Sequence, residues 1–196
     1  MDSKELRGLE ELIIQVGLRI AKRGEGALFV VGDTEYKPLV KQSVPPFKVT
    51  DNPKLLESLA LIDGAVIITK KGYLKAYGVM IKVRKILKNF GTRHSAALSA
   101  SIGDNLVFLV SEEDKKIRVL KNEKLVMQID ALQKDVEKSV HAAVNILESI
   151  GAGTIGALGT GLLVPALGIS LLPGIIVFGS AYYLGKMLSK YFKRKT

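Results

Sequence analysis

The chain contains no cysteine and no tryptophan among its 196 residues. Without cysteine there is no disulfide framework, no thiolate nucleophile, and no Cys-ligated zinc or iron–sulfur site. Any metal must be held by oxygen or by the only two histidines, His94 and His141. Charge is missing from one long stretch: no Asp, Glu, Lys, Arg or His occurs from position 149 to 185, a run of 37 residues. That segregation reconciles a mean hydropathy of +0.23 with a formal net charge of +10. With 47% apolar and 24% charged residues, the chain is neither disordered nor collagen-like, and it suits one globular domain plus an appendage.

All 19 acidic residues lie at or before Glu148. The last eleven residues hold Lys186, Lys190, Lys193, Arg194 and Lys195 with no acid between them. A cationic block beside an apolar run points to a membrane surface with anionic headgroups, each cation contributing about 1 kcal/mol there. It does not point to nucleic acid, because the excess is a short tail with no recognition motif. The opening residues Met1-Asp2-Ser3-Lys4-Glu5 are polar and do not form a signal peptide. The expected localisation is therefore membrane-associated, with the globular domain cytoplasmic.

Leu6, Leu9, Leu12, Ile13, Val16 and Ile20 recur at helical spacing. A strand is expected at 27–31, a polar Pro-containing connection through Pro45-Pro46, a helix over 52–60, and strands at 65–69 and 73–80 around the turn Lys70-Lys71-Gly72. An Ala-rich helix opens at Gly91-Thr92, and further strands are expected at 106–110, 117–120 and 125–129. A last amphipathic helix reads from Asp130, a natural N-cap, to about 150. The fold class implied is α/β, a mixed central sheet flanked by helices. The organisation is a domain over 1–129, an amphipathic connecting helix over 130–148, a hydrophobic transmembrane hairpin over 149–187 and a basic tail over 188–196.

Gly151-Ala152-Gly153-Thr154-Ile155-Gly156 matches the G-x-G-x-x-G pattern. The match fails on context: a helix precedes it instead of a strand, and no acid follows to hold a ribose. Small residues that let apolar helices approach fit it better. A single straight helix of 37 residues would be about 55 Å long, well beyond the roughly 30 Å of a bilayer core. Pro165 and Pro173 divide the run into arms over 149–164 and 171–185, and a hairpin keeps both basic flanks on one side. A buried helical pair or an oligomer contact in a soluble protein is the alternative.

Two clusters carry chemistry. In Asp63-Gly64-Ala65 an acid and a glycine stand at the start of an apolar strand; alone, such an Asp63 is more often a helix-stop or turn residue than a ligand. In Gly91-Thr92-Arg93-His94-Ser95 a hydroxyl, a guanidinium and an imidazole fall at a helix start, where free N–H groups and the dipole favour anions. Together the clusters resemble the signatures of the diadenylate cyclase (DAC) domain family, Asp-Gly-Ala and Gly-Thr-Arg-His-Arg. The likeness extends to 26–32, to Ser111-Glu112-Glu113 closing a strand, and to 119–125, covering roughly 9–129.

The resemblance implies a nucleotidyltransferase that condenses two ATP into cyclic di-AMP and two pyrophosphates with Mg²⁺ or Mn²⁺. Its site forms where two domains of a homodimer or higher homo-oligomer meet face to face, two ATP per dimer site. Carried over, Asp63 binds the metal and helps deprotonate the attacking hydroxyl, with Glu113 as second metal ligand. Gly64 and Ala65 bring backbone to the nucleotide, Thr92, Arg93, His94 and Ser111 contact phosphates, and Met80 borders the adenine. Glu113 is also an ordinary turn acid, and Met80 an ordinary core residue. One departure matters: Ser95 stands where the family pattern has Arg, for which Lys82, Arg84, Lys85 and Lys88 are possible substitutes. The alternative function is therefore a catalytically weak or silent adenine-nucleotide-binding membrane protein of the same fold. His141 reads as a surface or helix-packing residue.

Overall fold

The computed structural model of the chain describes residues 3–84, 92–151 and 173–177. Helix α1 (Ser3–Lys22) is followed by β1 (Ala27–Val31), β2 (Tyr36–Pro38), α2 (Pro53–Ala60), β3 (Ala65–Ile68) and β4 (Leu74–Ile81). Then come α3 (Thr92–Ala100), β5 (Leu106–Val110), β6 (Lys116–Lys121), β7 (Lys124–Asp130), a 3₁₀ turn (Val136–Ser139), α4 (Val140–Gly151) and β8 (Ile175–Val177). The strands form one mixed sheet in the order β2-β4-β3-β1-β5-β6-β7-β8. Among the described residues β1 and β3 pair in parallel, and every other neighbouring pair is antiparallel.

The central strands are apolar on both faces because both are covered. Along β1, Phe29 and Val31 enter the larger core with Leu9, Ile13 and Val16 of α1, Leu56 of α2 and Val144 of α4. Leu28 and Val30 point the other way and pack with Ala97 and Ala100 of α3, Leu109 of β5 and Leu120 of β6. The period-two alternation of a strand thus feeds two layers. Each fully buried Leu or Ile contributes about 1.5–3 kcal/mol relative to exposure, so α1, which buries Leu9, Ile13, Ile14, Leu18 and Ile20, anchors one face. Asn52 caps α2 by accepting from the Leu55 N–H at 3.1 Å, with Pro53 at the first turn.

Three expectations need correction. Asp130 does not cap a helix: it is the last residue of β7, its N–H donates to Gly174 and its carboxylate accepts from the Leu132 N–H. Pairing with β6 and β8 draws it into the sheet, and the helix begins ten residues later, at Val140. The α4 residues Val140, Ala143, Val144 and Leu147 are buried in the larger core, so this helix is part of the domain rather than a connector. Within the apolar run, Ile175–Val177 pair with Met127–Ile129 of β7, which breaks the helical arm expected over 171–185. The rest of the expected hairpin, 152–172 and 178–187, and the basic tail lie outside the described residues. Among the described residues no helix is long and apolar enough to cross a membrane.

The stretch of β4 that β2 does not reach is covered residue by residue. Beyond β2, the Leu39 N–H donates to Gly78 O, and the side chain of Gln42 takes the place of a strand partner for Tyr77, accepting from its N–H at 3.0 Å and donating to its C=O at 2.8 Å. The Tyr77 hydroxyl accepts from the Ser43 N–H, and Lys48 bridges to Tyr73.

Candidate active site

The expected site residues converge at the end of the sheet where β3 begins and β5 ends. Asp63 precedes β3, Ser111 follows β5, and the first turn of α3 lies between them. A cleft of about 260 Å³ is lined by Asp63, Thr92, Arg93, His94, Ser111, Glu112 and Glu113, with Leu109 and Val110 at its floor. Residues from three separate parts of the sequence therefore share one surface. The positive end of the α3 dipole belongs to the same surface.

Arg93 is the organising cation. Its Nη1 lies 3.3 Å from Glu112 Oε2 and its Nη2 4.0 Å from Asp63 Oδ1. The Asp63 side chain is 90% exposed, and its Oδ1 accepts from the Gly64 N–H at 3.0 Å. His94 is half-buried, and its pKa is lowered chiefly by burial and then by the Arg118 charge, against the pull of Asp114 and Glu113. Burial thus favours its neutral form. The Ser111 hydroxyl bonds to Asp114; burial of that carboxyl raises its pKa, but the hydrogen bonds from Arg118 and Ser111 and the nearby cations outweigh burial and leave it lowered.

Not every expected residue reaches the cleft. Gly64 is required for a local reason: its φ is +105°, and a Cβ there would stand 2.7 Å from the backbone N and O of Val79. Ala65 is buried opposite Val79. Met80, 56% exposed, lines a different recess with Tyr36 and Lys82. Lys82 and Arg84 do not replace the missing cation; both pair with Glu35, at 2.7 and 2.9 Å, beside another recess that Asn105 lines. Lys85 and Lys88 lie outside the described residues. Ser95 is buried on α3, 4% exposed. His141 pairs with Glu11 on the surface, at 2.7 Å.

Sequence reasoning missed Glu112, Asp114 and Arg118. Glu112 was legible only as one of two adjacent acids, and it is the one that meets Arg93. Among the described residues no three His, Asp or Glu side chains stand close enough to form a metal cage. The donors present fit a different kind of site. Mg²⁺ is typically held by one or two carboxylates together with substrate phosphates and water, and Asp63 and Glu113 present such oxygens to the cleft.

The sequence model of a family described as "DAC: DisA bacterial checkpoint controller nucleotide-binding" matches residues 17–125. A solved structure of a hypothetical membrane spanning protein from Bacillus cereus is 25% identical with a TM-score of 0.48, over 58% of this chain and 60% of that one. The match thus spans less than two thirds of the Bacillus cereus chain. A double cysteine mutant of DacA from Staphylococcus aureus is 24% identical with a TM-score of 0.49, over 75% of this chain and 97% of that one. No curated protein matches the chain.

Proposed function

Because this chain belongs to the DAC family of DisA-type nucleotide-binding domains, we propose that it is a diadenylate cyclase, which joins two ATP into cyclic di-AMP and releases two pyrophosphates. The observation that carries the reading is the convergence of Asp63, Thr92, Arg93, His94, Ser111 and Glu113 on one cleft. Each 3′-oxygen forms a bond to the α-phosphorus of the opposite ATP. The bond from that phosphorus to the bridging oxygen breaks, and its electron pair leaves with pyrophosphate. Asp63, exposed at the mouth of the cleft, accepts the hydroxyl proton.

Arg93, Thr92 and the α3 N-terminus hold the phosphates, and Ser111, oriented by Asp114, adds a further contact. Such a transfer is accelerated by in-line placement and by fixed positive charge around the phosphoryl oxygens. A Mg²⁺ or Mn²⁺ ion held by Asp63 and Glu113 would neutralise phosphate charge. The product has two-fold symmetry, so two copies of the chain meet with their clefts facing, one ATP in each. The 90% exposure of the Asp63 side chain supports a site that a second copy completes.

Ser95 supports the second reading, a domain that binds adenine nucleotide without turning it over. It is buried and uncharged where the family pattern has a cation, and Lys82 and Arg84 are paired elsewhere. Mass spectrometry of the products from ATP and Mn²⁺ with the full chain separates the two. Cyclic di-AMP supports the cyclase, ATP binding without product supports the silent domain, and neither result dismisses both.

We further propose that the five cations at 186–195 bind anionic membrane surfaces. The full chain should sediment with vesicles containing phosphatidylglycerol and not with neutral ones; equal partition would dismiss this.

A further inference from the structure

The geometry points to Gly26 as the seat of the Arg93 guanidinium: its missing Cβ sets where the cleft's organising cation lies. The inference rests on the reading of the cleft as a phosphate site. Gly26 stands, buried, immediately before β1. A Cβ built there would come within 2.4 Å of Arg93 Nη1, 3.4 Å of its Cζ and 3.3 Å of the Val110 carbonyl oxygen. The neighbouring glycines answer to backbone needs, with φ of +83° at Gly24 and +136° at Gly32, whereas Gly26 takes no left-handed φ. Its smallness is used for space, and the space is filled by Arg93.

The consequence is geometric. Arg93 leaves the first turn of α3 and crosses to the start of β1, where Glu112 and Asp63 flank it. A side chain at position 26 pushes the guanidinium out of that seat. The obstacle is the tip of a long flexible side chain, so the fold accommodates a methyl group while the cation moves. Phosphoryl transfer is sensitive to such displacements, and a misplacement of about 1 Å costs up to about a hundredfold. Gly26 is therefore a positioning residue that acts through Arg93.

Acting through Arg93 is a statement about coupling, which a double-mutant cycle measures. Full-length wild type, Gly26→Ala, Arg93→Ala and the double variant are titrated with ATP and Mg²⁺ by calorimetry. Gly26→Ala should weaken ATP binding about ten- to a hundredfold in the wild-type background, the range for losing hydrogen bonds to a charged group, and add nothing in the Arg93→Ala background. An equal loss in both backgrounds, no loss in the first, or loss of folding in both would overturn the assignment. The ¹⁵Nε resonance of Arg93 gives a second readout that needs no nucleotide. It should shift in Gly26→Ala, and an unmoved resonance overturns the seat whether or not ATP binds. Absence of ATP binding by the wild type, with the resonance shifted, would fault the phosphate reading and leave the seat intact.

Discussion

The two faces of the sheet are built for different work. One is covered by α1, α2 and α4, and its core takes in large side chains such as Phe29, Ile13 and Leu56. Among the described residues the other is covered by the nine-residue α3 alone, whose buried positions are small: Ser95, Ala97, Ser99 and Ala100. The heavy face fixes the strands. The thin face lets α3 lie close to the sheet, so that its first turn meets the ends of β3 and β5 as a shallow, charged cleft. Asp63 on the cleft side has a side chain 90% exposed and Glu5 on α1 one 53% exposed, whereas Glu10 on α1 is buried, 4% exposed.

The sharpest way to test that division is to remove chemistry without touching the core. Asp63→Asn should lower cyclic di-AMP formation about a thousandfold or more, in the range of lost acid–base and metal-binding groups, with an unchanged melting temperature. A large fall in melting temperature would show that the exposed carboxylate is structural. The converse variant is Ile14→Ala, fully buried on the heavy face. It should cost about 3 kcal/mol in urea unfolding, with ATP affinity per folded molecule unchanged. Equal damage to binding and stability would merge the two faces into one cooperative site.

A smaller effect concerns the acid that breaks the pattern. Burial first, and then the charge of Glu148, push the Glu10 pKa up to about 7, against the pull of Lys121 and Arg7. Arg7 pairs with Glu148 on α4, and Glu10 Oε2 is buried with no hydrogen-bond partner among the described residues. A carboxyl whose folded pKa is raised binds its proton more tightly in the folded state than in the unfolded one. The contribution of Glu10 to stability is therefore greatest below about pH 4.5 and declines as pH rises to about 7, by about 3 kcal/mol at most. Urea unfolding at pH 5 and pH 8 should show that difference between wild type and Glu10→Gln, with the variant relatively more stable at pH 8. Parallel profiles for the two would place the Glu10 charge in water.

What the sequence made legible follows from where the causes are local. Ala27–Val31 and Leu106–Val110 are unbroken apolar runs between turn residues, and both strands form as expected. The clefted cluster was legible through its motifs, since a Gly-Thr-Arg-His helix start and an Asp-Gly strand start each have a local chemical logic. Misreadings came where a distant partner decides. Asp130 looks like a cap until β6 and β8 pair with its strand. Tyr36–Pro38 are a polar triplet that becomes a strand only because β4 lies beside it. Ile175–Val177 sit inside an uncharged run whose composition favours helices, and β7 captures them. The pairing of Arg93 with Glu112, and the vacancy that Gly26 leaves for it, depend on three segments meeting in space and leave no periodic trace.

The side-chain amide of Gln42 has a consequence for how such chains can associate. By occupying both the donor and the acceptor of Tyr77, it closes a gap in the cover over the outer edge of β4. An uncovered strand edge is a template on which another chain can polymerise. With that stretch of β4 occupied by a side chain, and β8 paired along β7 at the other end of the sheet, neither β4 at Tyr77 nor β7 at Met127–Ile129 offers its backbone groups to a second chain.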